Sequence, residues 1–358
     1  MSELHYLYGK PLSQADLRTH NSDFIVQEIL PFVPTGEGEH HLLHIRKNGL
    51  NTADVAKILS GFAHVHPKEV TYAGQKDKHA ITEQWFGVRI PGKETPEWAS
   101  LDNEQLTVLS SSCHTKKLRV GALAGNRFTL TLRNITNMDD VLFRLERIKE
   151  TGVPNYFGEQ RFGHDGKNLI FGRQMFTGRK VKDRNKRGMY LSAVRSNLFN
   201  QVVSTRLMEH GLTPLRGDCV MLAGSKSYFV ANEWDVSLQQ RLTQKDIQLS
   251  APLWGRGTAL SQHDAADFEQ QVLLPLKADC DGLEHAGLTQ ERRMLLLEPQ
   301  HITHEIDGDV LVLKFALPAG CFATSVLREL FDYEDVIEKQ RQTHFADQQS
   351  QVQLTGQS

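Results

Sequence analysis

Strand-like sequence stands at both ends of this 358-residue chain, and a helix-rich block separates the two ends. Short β-rich or alternating segments fill residues 24–135, helices and mixed short elements occupy residues 139–297, and two alternating segments return within residues 302–317. A chain of this length usually divides into two domains, each with its own core. The order therefore predicts one domain built from both ends of the chain and a second domain inserted between them.

The predicted fold class is α+β. Residues 1–151 and 299–340 are expected to form one discontinuous domain around a largely antiparallel mixed sheet. Residues 152–298 are expected to form an inserted α/β domain. The tail, residues 341–358, is rich in Gln and poor in apolar residues, so we expect it to be disordered.

Periodicity and turn residues predict the individual elements. The first twenty residues show no regular pattern and are expected to be irregular. The predicted strands are 24–30, 41–46, 70–72, 84–90, 106–111, 128–135, 302–306 and 310–317. The predicted helices are 53–62, 139–151, 191–210 and 323–330.

Composition and cysteine spacing restrict the class of protein. No stretch approaches the roughly 20 apolar residues of a membrane span, and the first five residues do not begin a secretory signal. The four cysteines are far apart and form no CxxC pair, which favours free thiols over a zinc knuckle or a disulfide framework. We therefore expect a cytoplasmic protein.

Positive charge is concentrated in one stretch, although the net charge is −2. Residues 150–200 hold ten Lys or Arg and four Asp or Glu. The excess is densest in the basic strip, defined here as residues 173–187, where Asp183 is the only acidic residue. A local field of one sign attracts phosphates, so the strip and the nearby Arg195 are candidate RNA contacts. A solvated surface face would have the same composition.

The densest polar cluster is the segment 74–84, GQKDKHAITEQ, which lies between two β-like segments. Its Asp77 is flanked by Lys76, Lys78 and His79. Nearby cations favour the ionised form of a carboxyl group, and a carboxylate must be ionised to act as a nucleophile. A charged surface turn with incidental ion pairs is the alternative, because such clusters also arise for structural reasons.

Two groups of histidines raise the question of a metal site. They are His40, His41 and His44, and His64, His66 and His79. Neither group has the helical spacing or the additional ligands of a known metal motif. We predict no metal site.

Five segments of the chain resemble the tRNA pseudouridine synthase D (TruD) family. In chain order they are 23–28 (DFIVQE), 74–84 (GQKDKHAITEQ), 125–128 (GNRF), 155–163 (NYFGEQRFG) and 317–325 (LPAGCFATS). They occur in the family's order, and the resemblance extends from about residue 8 to about residue 330.

The resemblance implies a pseudouridine synthase-type catalytic domain, an inserted TRUD domain and an isomerase that acts on tRNA, usually at uridine 13. It implies that Asp77 is the nucleophile and that Phe24, Asn126 and Phe322 contact the substrate. The reaction needs no cofactor, and the sequence has no Walker or dinucleotide-binding motif. We expect a monomer without an obligate protein partner. Whether the Lys76 side chain lies in the site is left open, because neighbouring side chains on an extended chain face opposite sides.

The chain departs from the family near its N-terminal motif. Asn21 and Ser22 replace the usual Pro-Glu, and Arg18 stands where a lysine is usual. Arginine keeps the charge but presents a planar fork. Two other functions remain open at this point. One is a tRNA chaperone without catalysis, and the other is a hydrolase that uses Asp77 and Glu83 as a carboxylate pair.

Overall fold

The computed structural model describes residues 3–92, 94–340 and 343. The predicted disordered tail, residues 341–358, therefore lies outside the described residues apart from residue 343. The strands of the described chain are β1 (Gln14–Leu17), β2 (Phe24–Ile29), β3 (His40–Asn48), β4 (Val70–Tyr72), β5 (Ile81–Arg89), β6 (Leu106–His114), β7 (Gly125–Arg133), β8 (Val153–Pro154), β9 (Asp218–Leu222), β10 (Tyr228–Ala231), β11 (Ile247–Leu253), β12 (Glu291–Met294), β13 (Leu296–Leu297), β14 (Gln300–Asp307), β15 (Val310–Pro318) and β16 (Asp332–Asp335). The α-helices are α1 (Thr52–Phe62), α2 (Met138–Thr151), α3 (Lys167–Phe176), α4 (Arg184–His210), α5 (Val236–Thr243), α6 (His263–Leu273), α7 (Lys277–His285) and α8 (Ala323–Leu330).

The sheet unit comprises Pro11–Phe143, Pro299–Gly320 and the described residues from Leu330 onward. Its ten strands form one sheet with the central order β14-β15-β7-β2-β5-β3-β6, and β1, β4 and β16 pair beside this path. The pairs β1–β16 and β2–β5 are parallel, and the other pairs are antiparallel. The prediction of an α+β fold with a largely antiparallel mixed sheet is confirmed.

Strand register sorts the side chains of this sheet onto two faces, because successive residues alternate between faces and paired residues share one. On the first face, Glu28 of β2 lies opposite Asn126 of β7, and Lys47 of β3 lies opposite Thr82 of β5. Helix α1 packs its apolar residues on this same face and closes a core there. That core includes Leu43, Ile45, Val55, Leu59 and Phe86.

The insert unit comprises residues 3–10, Arg144–Glu298 and Cys321–Glu329. It contains a four-stranded sheet in the order β10-β9-β11-β12 and a two-stranded ladder of β8 and β13. Helix α4 supplies a buried face to its core, with Val194, Leu198 and Val202 among the fully or nearly fully buried residues. Residues 3–10 and Cys321–Glu329 pack with this unit. The predicted domain boundaries, after residue 151 and after residue 298, stay a prediction.

Most predicted elements have counterparts within a few residues, and two differences are informative. The first twenty residues were predicted to be irregular, but residues 14–17 form β1. Helix α4 was predicted to begin at Leu191 and begins at Arg184, after Asp183, whose carboxylate accepts hydrogen bonds from the amides of Asn185 and Lys186. Its first turns are basic and exposed, so no apolar period marked them. In the described residues no helix is long and apolar enough to cross a membrane.

Candidate active site

Asp77 lies in the loop that connects β4 to β5, above the first face of the large sheet. Its Oδ2 is 3.0 Å from Nη1 of Arg18, and its Oδ1 accepts a hydrogen bond from the amide of His79 at 3.0 Å. The Asp77 side chain keeps 29% of its surface exposed. A guanidinium and a backbone amide thus hold this carboxylate in place, and a ligand can still reach it.

Arg18, the partner of Asp77, is held on three sides. It follows β1 directly, in a left-handed conformation with φ of 61°. Its guanidinium lies 4.3 Å from the centre of the Phe24 ring, and Nη1 also lies 3.3 Å from Oδ2 of Asp335 on β16. Arg18 is buried, and its planar guanidinium bridges two carboxylates and covers an aromatic ring. The sequence pattern gave no sign of Asp335.

Three buried polar side chains hold the backbone of the loop before Asp77. Nζ of Lys47 donates to the carbonyl oxygens of Asp77 at 2.9 Å and of Leu50 at 2.7 Å. The hydroxyl of Thr52 accepts from the amide of Lys76 at 2.9 Å and donates to Gln84 at 3.0 Å. The Gln84 amide donates to the carbonyl oxygen of Gly74 at 2.6 Å.

These three residues, Lys47, Thr52 and Gln84, are called the loop clamp below. They come from β3, α1 and β5, and each has at most 3% of its surface exposed. Burial lowers the pKa of Lys47 to about 8, and Asp77 opposes that lowering. Sequence reasoning missed the clamp. For Lys47 and Gln84 the available signal was a polar residue at a strand position where alternation places the side chain on the buried face.

Lys76 forms a salt bridge with Glu28 of β2, with Nζ 2.8 Å from Oε1. Oε2 of Glu28 accepts from the amide of Trp85 at 2.9 Å. The structure thus connects Lys76 to the residue that lies opposite Asn126. The Lys76 ammonium is therefore paired with a carboxylate of the sheet unit.

Phe24 and Asn126 lie on the same sheet face as the Asp77 loop. Phe24 is 5% exposed and packs edge-on against Phe128, with ring centres 6.4 Å apart. Asn126 is partly exposed, and its Oδ1 is buried without a hydrogen-bond partner in the described chain. An unsatisfied buried acceptor is costly, so a ligand donor would stabilise it. Their roles toward a substrate stay predictions.

Phe322 belongs to the insert unit and is partly exposed. Its ring packs edge-on against Phe157 at 6.0 Å, and the guanidinium of Arg161 lies 5.6 Å from its centre. Gly158 makes this packing possible, because a Cβ there would lie 2.5 Å from Oγ1 of Thr324 and 3.3 Å from the Phe322 ring. Its role toward a substrate also stays a prediction.

Glu83 lies on the opposite face of the large sheet from the loop clamp. Its carboxylate accepts from Gln27 at 2.8 Å and from Arg46 at 2.6 Å, and both partners point to the second face. Thr82 and Gln84, its neighbours, point to the first face. Asp77 and Glu83 are therefore on opposite sides of the sheet, which argues against their action as a hydrolytic carboxylate pair.

Two of these histidines make structural contacts. His44 stacks on Trp85 at 4.7 Å, and His66 accepts from the amide of Lys68. Within the described ranges, no group of three or more His, Cys, Asp or Glu is arranged to hold a metal ion.

Comparison with known proteins gives the family. The family model described as tRNA pseudouridine synthase D (TruD) matches residues 2–182 and 179–330. The tRNA pseudouridine synthase D of Shewanella oneidensis is 71% identical over 343 residues, which are 96% of this chain and 93% of that protein. That of Aeromonas hydrophila is 51% identical over 337 residues, or 94% and 96% of the two chains.

A solved structure shows the same fold. The Methanosarcina mazei protein, described as a tRNA pseudouridine synthase D, superposes with a TM-score of 0.70 and 23% identity, covering 91% of this chain and 95% of that one. All five motif segments lie within the residues that the family model matches. They include segment 74–84, which contains Asp77. This chain belongs to the tRNA pseudouridine synthase D family of isomerases.

Proposed function

We propose that this tRNA pseudouridine synthase isomerises uridine 13 of tRNA and uses Asp77 as its nucleophile. In the reaction, the bond between ribose C1′ and uracil N1 breaks, and a bond between C1′ and C5 forms. The proton on C5 is lost, and N1 gains one, so the atoms balance without a redox step.

The observation that carries the proposal is the state of the Asp77 carboxylate. It is paired with a buried guanidinium, it accepts a backbone hydrogen bond, and it remains partly exposed. Covalent catalysis by a carboxylate requires a charged and accessible group whose position is fixed. The loop clamp supports that requirement by holding the main chain on both sides of Lys76.

A uridine in folded tRNA must leave its stack to reach such a group. We assign Phe24 and Phe322 to contacts with the extruded uridine or the gap that it leaves, and such stacking contributes about 1–3 kcal/mol per base. Asn126 is assigned to a base edge or a ribose hydroxyl, because its amide offers both a donor and an acceptor. The unpartnered Oδ1 of Asn126 supports that assignment.

The two ends of the chain, residues 1–151 and 299–340, are proposed to form the catalytic domain, and residues 152–298 the inserted domain that grips the tRNA body. The basic strip supports the grip, because Lys180, Lys182 and Arg184 are exposed and none has an ion pair among the described residues. Arg195 differs, because its guanidinium donates to the carbonyl oxygens of Leu253 and Thr289. We propose that the enzyme acts as a monomer.

The test is pseudouridine mapping in an unmodified tRNA transcript with the wild type and Asp77→Asn. The substitution preserves shape and removes the charge. We expect modification at position 13 by the wild type, and equal tRNA binding without product by the variant. Product at another position would overturn the uridine 13 assignment. An active Asp77→Asn variant would overturn the nucleophile. Binding by both proteins without any product would favour a chaperone.

A further inference from the structure

Arg161 of the insert unit carries a charge that no described carboxylate balances. Its guanidinium donates to the Ser192 hydroxyl at 3.1 Å, and its Nε is buried without a hydrogen-bond partner. In the part of the chain that the structure describes, no carboxylate pairs with it. Burial lowers the pKa of Arg161, and no neighbouring charge opposes that lowering. A largely buried cation is costly unless an anion or acceptor compensates it.

A second guanidinium, that of Arg293, lies close to the first. Arg293 lies 4.2 Å from the centre of the Phe157 ring, and Arg161 lies 5.4 Å from the centre of the same ring. Arg293 donates to the Asn155 side chain at 2.5 Å, which is a neutral acceptor. Burial lowers the pKa of Arg293, the Cys321 thiol opposes this effect, and Arg161 adds to it. The Arg161 charge therefore disfavours the charged form of Arg293.

The aromatic residues around the two cations limit what can bind. Phe157 and Phe322 both lie within 6 Å of the Arg161 guanidinium, and Arg161 itself is partly exposed. The Arg161 guanidinium therefore lies beside the Phe322 ring, which is itself partly exposed. A neutral base cannot balance the charge, whereas a phosphate group matches both the charge and the planar fork of arginine.

We propose that Arg161 binds a phosphodiester group of the RNA substrate beside Phe322. The inference rests on the proposed function for the identity of the RNA, and the anion site itself does not depend on it. The phosphate occupies the guanidinium N–H groups that Ser192 leaves available. Binding of the substrate thereby compensates a charge that no carboxylate in the described ranges balances.

The first experiment measures anion binding by the protein alone. Sulfate serves as the probe, and chloride at equal ionic strength is the reference. We expect sulfate to raise the Tm of the wild type more than that of Arg161→Met, because an anion that binds the folded state stabilises it. The control is Arg216→Met, which removes an exposed arginine of the same unit that is already paired with Asp264. Equal sulfate effects in wild type and Arg161→Met would overturn the site.

The second experiment measures tRNA binding across a salt series, in the Asp77→Asn background so that no reaction occurs. Loss of one phosphate contact lowers the slope of log Kd against log salt by about one and weakens binding about ten-fold. Arg161→Met is expected to show both effects, and Arg216→Met neither. An unchanged slope in folded Arg161→Met contradicts the proposal. Failure of Arg161→Met to fold would also contradict the proposal, because Arg161 would then stabilise the insert unit without an anion.

The two experiments separate this inference from the proposed function. If the wild type makes no pseudouridine but sulfate stabilises it through Arg161, the anion site stands and the proposed reaction fails. If pseudouridine forms at position 13 and Arg161→Met matches the wild type in both assays, the reaction stands and the anion site fails.

Discussion

Nζ of Lys47 lies 2.9 Å from the main-chain carbonyl oxygen of Asp77, although the Lys47 side chain is completely buried. This lysine therefore acts on the backbone of the proposed nucleophile. Together with Thr52 and Gln84 it makes the loop a fixed part of the sheet unit, and the consequences can be measured.

Thr52→Val is expected to slow catalysis with little effect on tRNA affinity. The variant keeps the shape but leaves the Lys76 amide and the Gln84 side-chain oxygen without their partner, which costs about 2 kcal/mol. We expect a fall in the single-turnover rate of about ten-fold, because small displacements of a reacting group reduce rates strongly. Thr52→Ser retains the hydroxyl and should restore the rate. Equal rates for the Val variant and the wild type at a temperature where both are folded would contradict a positioning role.

Lys47→Met should change the pH dependence of stability. The pKa of Lys47 is about 8 in the folded protein and higher in the unfolded chain. The unfolded chain therefore binds more protons above pH 8, and the contribution of Lys47 to stability increases with pH up to its unfolded pKa. The Tm of the wild type minus that of Lys47→Met is expected to increase between pH 8 and about pH 10. A constant difference across this range would show that the pKa of Lys47 is not lowered.

Arg18→Gln is expected to lower the single-turnover rate about 100-fold, because it removes the charge-assisted bond that orients Asp77. Arg18→Lys keeps the charge but loses the planar contact with Phe24 and cannot bridge both carboxylates in the same way. Its rate should fall between those of the wild type and Arg18→Gln. Asp335→Asn provides the matched test of the second carboxylate, and a rate equal to wild type would show that Asp335 does not position Arg18.

Glu329 of the insert unit should give stability a pH dependence of the opposite sign. Its carboxylate accepts from the amides of Leu7 and Tyr8. Burial raises its pKa to about 7, and Arg328 opposes this effect. Its contribution is fully present below its ordinary pKa and is lost as pH rises through 7. The Tm of the wild type minus that of Glu329→Gln is thus expected to fall between pH 5 and pH 7. No change in this difference would contradict a raised pKa.

The sequence predicted those parts of the fold whose signal is local. Residues 323–330 form the predicted helix, and the predicted strands 302–306 and 310–317 lie within β14 and β15, which pair antiparallel. The strand β1 was missed because its four residues have little pattern of their own. It is formed by pairing with β16, more than 300 residues later, and with β7. Pairing partners that are distant in sequence leave no periodic signal at either strand.

The candidate site shows the same limit. Asp77 could be predicted because cations surround it in the sequence and because the segment resembles a family motif. The groups that fix the position of Asp77 could not be predicted. Lys47 and Thr52 hold its loop and Asp335 holds its partner Arg18, but these residues come from separate elements and meet only after the sheet has formed. Lys76, which precedes Asp77 in the sequence, pairs with Glu28, and the guanidinium beside Asp77 comes from Arg18.

The parallel pairing of β1 with β16 has a consequence for biosynthesis. The ribosome adds Arg18 more than 300 residues before Asp335, which lies on the strand that completes the surroundings of Arg18. A nascent chain halted before residue 332 lacks that strand, however much of the sheet has already formed. The bridge that Arg18 makes between Asp77 and Asp335 can therefore form only after residues 332–335 have been synthesised.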